Sequence, residues 1–392
     1  MSLIGPGSTI GILGAGQLGR MLAVKARQMG YFVAVYGGDP MSPCGQVSDH
    51  CFDAPLDNVE QLRKFAQLCD VVTYEFENIP AAAAEIVSSC TKLCPGSNLL
   101  MTAQNRYSEK TTFQKLGLAT PQFRMVNSGS QLETARSEFG GDVILKANTE
   151  GYDGRGQWRV DHEADCTAVW EQTGLTEAIV EERIDFEFEL SIVAGRYQHG
   201  QCDFFPPFLN DHSNHILDLT VVHSSKISQH IADEAREMAR VILNHFDTTG
   251  VLCLELFLTQ DQRLLVNEIA PRPHNSGHLT IEAANCSQFE LQLRTICDLP
   301  AVDLKVQPAA MINLLGKHLP QNWTAANLSE MNNPQTQLHL YGKTGSATNR
   351  KMGHLTAISS QNLEDTAIAF SDASEEAAQI ASVARMQLLQ DN

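Results

Sequence analysis

The chain has 392 residues, 43% of them hydrophobic, which is too long for one ordinary core and predicts two or three domains. Its 28 basic and 46 acidic residues leave a net charge of −18, which excludes a general role on nucleic acid but not a small anion held by a local Lys/Arg cluster. No apolar run is long enough to span a bilayer, the start lacks the basic stretch of a signal peptide, and ten scattered cysteines without a C-x-x-C pair read as reduced thiols; the expectation is a cytoplasmic protein that touches no membrane.

The first hundred residues alternate strand and helix. Thr9–Leu13 is a short apolar strand, 17–29 a helix with Leu18, Met21, Leu22 and Met29 on one face, 31–36 a second strand and Val71–Tyr74 a third. This βαβ order predicts a parallel sheet with helices on its faces. Gly14, Gly16 and Gly19 fit the dinucleotide fingerprint, the amides at the helix start favour an anion, and Asp39 lies near the place of a ribose-binding acid. Taken alone, that motif predicts an NAD-dependent oxidoreductase. Pro95, Gly96 and Ser97 punctuate the end of the region.

A second region begins near Met101. It carries strands at 143–147, 178–184 and 187–195, a helix at 231–246, a hairpin at 251–270 and a helix at about 280–297. A last segment from about 301 holds short strands at 311–316 and 339–342 and a helix at 375–389.

The hairpin is the most informative stretch. With Asp261 and Gln262 as its tight loop, paired residue numbers sum to 523, and Glu255 stands opposite Glu268. At about 5 Å and an effective dielectric near 20, two such charges repel by roughly 3 kcal/mol. Their expected neighbours Cys253, Phe257 and Val266 are apolar. A divalent cation reverses the sign, and Mg²⁺ suits oxygen ligands shared with substrate phosphates. The glycine-rich loop 151–157 (GYDGRGQ) offers backbone amides to a phosphate chain but is not a Walker A loop, and Lys146 ends the strand before it.

Lys146, GYDGRGQ, EERI (181–184), Glu189, Glu255 and NEIAPRPHNSGH (267–278) together resemble the ATP-grasp superfamily. With GILGAGQLGRML at the start, YEFENIP (74–80), and HLYGK and RKMGHLT (339–356) near the end, the chain is similar over nearly its whole length to the N5-carboxyaminoimidazole ribonucleotide synthetases. The resemblance implies an α/β and α+β architecture. An N-terminal Rossmann-like (pre-ATP-grasp) domain would span 1–100 and an ATP-grasp domain 101–300, with its lid at about 120–185. A small C-terminal domain would span 301–392.

It implies further that Arg106 and Lys146 meet the phosphates of ATP, with Gly151, Tyr152, Asp153, Gly154, Arg155, Gly156 and Gln157 closing over them. Glu181, Glu182, Arg183 and Ile184 would line the adenine pocket and Glu189 would hold the ribose. His212 and Asn267 would lie near the nucleotide, and Glu255 and Glu268 would bind Mg²⁺, as one ion or two. Arg272 and His274, with Lys146 and Asp153, would form the catalytic end. Asn275 and Ser276 would orient bicarbonate or the aminoimidazole. Gln17, Leu18, Glu75, Lys343, Arg350 and Lys351 would hold 5-aminoimidazole ribonucleotide (AIR), with Tyr152 and Asp153 touching it.

The implied reaction carboxylates AIR at the expense of ATP and bicarbonate, through carboxyphosphate, in a homodimer that passes its product to a mutase. A formate-dependent glycinamide ribonucleotide transformylase is the close rival. An NAD-dependent oxidoreductase and a catalytically silent nucleotide-binding module are the remote ones; the set Lys146, Glu255 and Glu268 speaks against the last.

Overall fold

The computed structural model describes residues 3–149, 156–320, 322–323, 333–345, 347–359 and 367–388, the side chains of 367–371 excepted. The N-terminal elements are β1 (Thr9–Leu13), α1 (Gln17–Gln28), β2 (Phe32–Tyr36), β3 (His50–Phe52), α2 (Val59–Leu68), β4 (Val71–Tyr74), α3 (Ala81–Cys90) and β5 (Lys92–Leu93). They form one parallel sheet in the order β3-β2-β1-β4-β5. Ile10, Ile12, Val33, Val35, Val71 and Val72 are fully buried, as a sheet covered by helices on both faces requires. The expected strand at Val71–Tyr74 is the fourth in sequence, because β3 and β5, of three and two residues, are too short to show a period. The order reverses beside β1, so the carboxyl ends of β1 and β4 bring 14–18 and 75–78 together at a crevice.

Next come α4 (Ser97–Ala103) and α5 (Arg106–Lys115), then an antiparallel four-stranded sheet. It contains β6 (Phe123–Val126), β7 (Val143–Ala147), β8 (Gln157–Val160) and β9 (Ala178–Glu182) in the order β6-β9-β7-β8. Helices α6 (Gly129–Glu138) and α7 (Cys166–Thr173) pack on it through Leu132, Ala135 and Cys166.

The largest sheet has nine strands. It is built from β10 (Phe186–Arg196), β11 (Cys202–Phe204), β12 (Phe208–Ser213), β13 (Ile216–Val222), β14 (Gly250–Thr259), β15 (Leu264–Ala270), β16 (Ala309–Leu315), β17 (Thr336–Leu340) and β18 (Lys351–Ile358). Its order is β15-β14-β10-β12-β13-β16-β18-β17, with β11 on β10, so the strands of the C-terminal segment extend the same sheet. Helix α8 (Gln229–His245) lays Ile231, Ala235, Met238 and Ile242 against Leu190, Ile192, Leu254 and Leu256. The expected helix at 280–297 is two, α9 (Thr280–Ala283) and α10 (Gln288–Ile296), because the Ser287 side chain caps a fresh start by accepting from the Glu290 amide at 3.2 Å. Helix α11 runs Ala367–Leu388, a longer span than expected.

Glu255 does pair with Glu268, but not through a uniform register. The turn holds three residues, since the Thr259 amide donates to the Arg263 carbonyl at 3.0 Å, and Gln262 takes φ +62°. Beside it the pairs sum to 522, as Leu256 with Val266 and Leu258 with Leu264. An irregularity between Glu255 and Leu256 shifts the sum to 523. The extra residue is Asn267. A bulge of this kind sets two successive residues of one strand against one of the other. Asn267 and Glu268 accordingly both face the cavity with Glu255, while Val266 and Ile269 enter the core against α8. Val266 is therefore not on the carboxylate face; Leu265, paired with Phe257, takes that place.

Candidate active site

The three glycines of the first turn make room for an acid. A Cβ on Gly14 would stand 2.5 Å from Glu75 Cγ, one on Gly16 2.8 Å from Glu75 Oε1, and one on Gly19 3.3 Å from Glu75 Oε2. The carboxylate accepts from the amides of Gly16 and Gly19, the latter at 2.7 Å. The anion site at the start of α1 is thus filled from within by a residue of the next strand end, where a pyrophosphate would have to sit. That corrects the dinucleotide reading. Burial pushes the Glu75 carboxyl up, against the pull of the two amides.

A cavity of about 1730 Å³ opens from this turn and runs between the three sheets. At one end it is lined by Gln17, Leu18, Glu75, Lys343, Arg350 and Lys351. The segment carrying the last three is joined to the N-terminal region, where Gln46, between β2 and β3, donates from Nε2 to the Gly342 carbonyl at 2.9 Å. Arg272 and Asn275 border the middle of the cavity, together with His274, Glu255, Asn267, Glu268 and Arg106. The far end is lined by Lys146, Gln157, Glu181, Glu182, Arg183, Ile184, Glu189 and His212, with Ile144, Phe186, Phe188 and Phe257 as apolar walls. Gly156 is a left-handed turn residue beside this end, at φ +71°. Gly151, Tyr152, Asp153, Gly154 and Arg155 lie outside the described residues.

Each charged group at the centre has a partner. Glu268 Oε2 is 3.0 Å from Arg106 Nη1, and Glu255 Oε1 is 2.9 Å from His274 Nε2. Burial alone would raise Glu255 and lower His274. The imidazole, with His212 and Arg272, instead holds Glu255 ionised, and Cys253 and the Glu255 carboxylate keep His274 protonated. Arg272 Nε donates to Glu77 Oε2 at 2.6 Å, and that guanidinium overrides burial to keep the Glu77 carboxyl low. His212 Nδ1 meets Glu189, which overcomes burial and raises the imidazole.

Glu181 and Ser276 have surroundings that the sequence does not show. Glu181 is 2% exposed and, besides lining the cavity, is tied to two lysines: its Oε2 is 2.9 Å from Lys146 Nζ and 3.4 Å from Lys110 Nζ. Burial would raise its carboxyl, but the two ammonium groups bring it down to about 2. Ser276 is fully buried and does not line the cavity. Its hydroxyl is 2.9 Å from His274 Nδ1 and 2.8 Å from Ser191 Oγ, at the head of a chain that continues through Asn210 to Thr220.

Sequence reasoning missed Glu109, Lys110 and the pairing role of Glu77. Glu109 accepts from the Ile269 amide at 2.7 Å, and burial together with Glu268 pushes its carboxyl up to about 8. Nothing local marks Glu109 and Lys110 as interior, since adjacent charges on a helix read as a solvated face.

The donor set suits a magnesium ion. Glu255, Asn267 and Glu268 present oxygen atoms on one face, and Asn267 Oδ1 is buried without a hydrogen-bond partner among the described residues. Oxygen-only sets of this kind match a hard divalent cation.

A strand-borne lysine, an acidic hairpin and a four-stranded lid facing a larger sheet define an ATP-grasp ligase. Family models match the ATP-grasp domain over 111–289, the ribonucleotide synthetase preATP-grasp domain over 8–104 and the phosphoribosylaminoimidazole carboxylase C-terminal domain over 309–367. The N5-carboxyaminoimidazole ribonucleotide synthase of Bacillus subtilis (strain 168) is 38% identical over 356 residues, 90% of this chain and 92% of that protein. A crystal structure of an ADP complex of an N5-carboxyaminoimidazole ribonucleotide synthetase superposes with a TM-score of 0.87 at 36% identity, covering 98% of this chain and 99% of the other. The Aspergillus clavatus enzyme in complex with ADP and 5-aminoimidazole ribonucleotide superposes at 0.85 and 30% identity, covering 96% and 99%. The chain belongs to the N5-carboxyaminoimidazole ribonucleotide synthase family, and it is an ATP-dependent ligase of purine biosynthesis. All ten cysteines are unpaired. No helix among the described residues is long and apolar enough to cross a membrane.

Proposed function

We propose that the chain joins ATP, bicarbonate and AIR to give ADP, phosphate and N5-carboxyaminoimidazole ribonucleotide, with the nucleotide at the lid end of the cavity and AIR at the N-terminal end. The observation that carries this reading is the continuity of the cavity. Lys146, the oxygen set of the hairpin, Arg272 with His274, and Lys343 with Arg350 and Lys351 border one space.

Lys146, fixed by Glu181, and Arg106 meet phosphate oxygens. Bicarbonate attacks the γ-phosphoryl group, ADP leaves, and carboxyphosphate forms. Glu255, Asn267 and Glu268 would hold magnesium, which when bound supplies charge to the phosphoryl oxygens. Catalysis of such a transfer is mostly placement and charge neutralisation. Arg272, kept in line by Glu77, offers forked donors to the carboxyphosphate, and His274 borders the same space. Collapse releases phosphate and CO₂, whose carbon accepts the AIR amine to form the carbamate. Enclosure by the lid keeps water from hydrolysing the intermediate.

Phosphate release from ATP is the test, with AIR and bicarbonate omitted in turn. Full rate is expected only with both, and formate is expected not to replace bicarbonate. Equal rates with formate would move the chain to the transformylase reading.

The serine chain behind His274 gives a second expectation. Ser276→Ala is expected to reduce kcat about tenfold, the worth of one buried hydrogen bond, while the KM for ATP stays unchanged. A raised KM for ATP with unchanged kcat would contradict a positioning role for Ser276.

A further inference from the structure

Three side chains outside the reaction cavity converge between α9 and the β17–β18 hairpin. Glu282, His339 and His354 each offer one ligand atom, all within 4.8 Å of one another. The cause lies in the register. His339 stands directly opposite His354 across the antiparallel pair, which stacks their rings 4.4 Å apart at 11°. Helix α9 then lays Glu282 Oε1 2.6 Å from His339 Nε2.

Hydrogen bonding inside the cluster is incomplete. The second oxygen of Glu282 and Nε2 of His354 are buried with no hydrogen-bond partner among the described residues. His354 has no exposed surface, and its other nitrogen, Nδ1, lies 2.8 Å from the hydroxyl of buried Tyr341. Two orphaned polar atoms at one point are costly unless something joins them. Tyr341 stands where an outer-shell partner orients a metal-binding imidazole. His339 is 30% exposed at its side chain and leaves a way in from solvent.

We propose that Glu282, His339 and His354 bind a borderline divalent transition-metal ion of the Zn²⁺ class, at a site separate from the magnesium-nucleotide site. Two imidazoles and one carboxylate suit zinc, cobalt or nickel and are poor ligands for Mg²⁺. Bonds of about 2.0–2.1 Å at tetrahedral angles place ligand atoms roughly 3.3 Å apart, so binding draws the three ligand atoms together and turns the two stacked imidazole planes until both aim at one ion. A solvent molecule completes the shell. The ion ties α9 to the two strands whose connection carries Lys343 and Arg350, and so braces the loop that borders the AIR end of the cavity.

The test titrates Co²⁺ into the chelator-treated full-length protein with Mg²⁺ and ADP at saturation, so that the nucleotide site is filled. One equivalent is expected to develop the visible ligand-field bands of a four-coordinate site, and Zn²⁺ is expected to displace it. Glu282→Gln and His339→Gln are each expected to weaken binding at least tenfold, whereas Glu255→Gln in the nucleotide site leaves the bands in place. His339 lies at a partly exposed sheet edge, so its variant is expected to fold, as the melting curve will show. Absence of the bands in the wild-type protein, or their survival in both Glu282→Gln and His339→Gln, overturns the proposal.

Discussion

Glu268→Gln is expected to lower turnover by about a thousandfold or more and to leave the protein folded. The side chain is 37% exposed and the replacement is isosteric, so packing is unaffected. What changes is charge at the bulge. The proposed oxygen set Glu255, Asn267 and Glu268 loses one of its two carboxylates, and Arg106 Nη1 loses the oxygen 3.0 Å away. Metal-assisted charge stabilisation is worth several kcal/mol, and about 4 kcal/mol is a factor of roughly a thousand. Initial rates of phosphate release across a magnesium series check this, with a urea titration to show that stability is retained. Partial recovery at high Mg²⁺ fits a ligand role. Wild-type rates at low Mg²⁺ would end it.

The second large effect is on stability. Glu181→Gln is expected to cost about 3–5 kcal/mol, because it strands two buried ammonium groups. Lys110 and Lys146 are 1% and 7% exposed, and Glu181 is the carboxylate shared between them. Desolvation already pulls Lys110 down. The acid dependence has a definite sign. The folded carboxyl titrates near 2, below its unfolded value of about 4.5, so its stabilisation is present above pH 4.5 and fades as pH falls towards 2. The gap between wild type and variant, measured by urea unfolding, should therefore be level from pH 5 to 8 and shrink below about 4.5. A variant as stable as the wild type at pH 7 would show that the lysines do not depend on Glu181.

Much of this was legible in the sequence, and the reasons differ by element. Strand β1, strand β7 and the hairpin have strong apolar periods, so they stand where the pattern puts them. The facing glutamates were also legible, although strict alternation explains them only in part. It cannot anticipate a bulge, and it therefore set Val266 on the wrong face. Buried charge was illegible. Glu109 and Lys110 look like surface residues until β15 and Glu181 close over them, and Glu77 becomes a partner only when Arg272, 195 positions away, arrives beside it. Glu181 stands in the cavity as expected, but its two lysines were not foreseen, because reading a strand does not tell which lysine lies across it. The C-terminal strands show their period but not their pairing, since β16 finds β13 nearly ninety residues back.

Glu75 carries one more consequence. Backbone amides at the start of a helix are a ready-made site for a phosphate. Here an internal acid has taken them. On the proposed placement of AIR, its phosphate would rely on Lys343, Arg350 and Lys351, whose reach into water is screened over about 8 Å at physiological salt. On that placement, added salt is expected to raise the KM for AIR more than the KM for ATP, whose phosphates would lie beside enclosed Lys146.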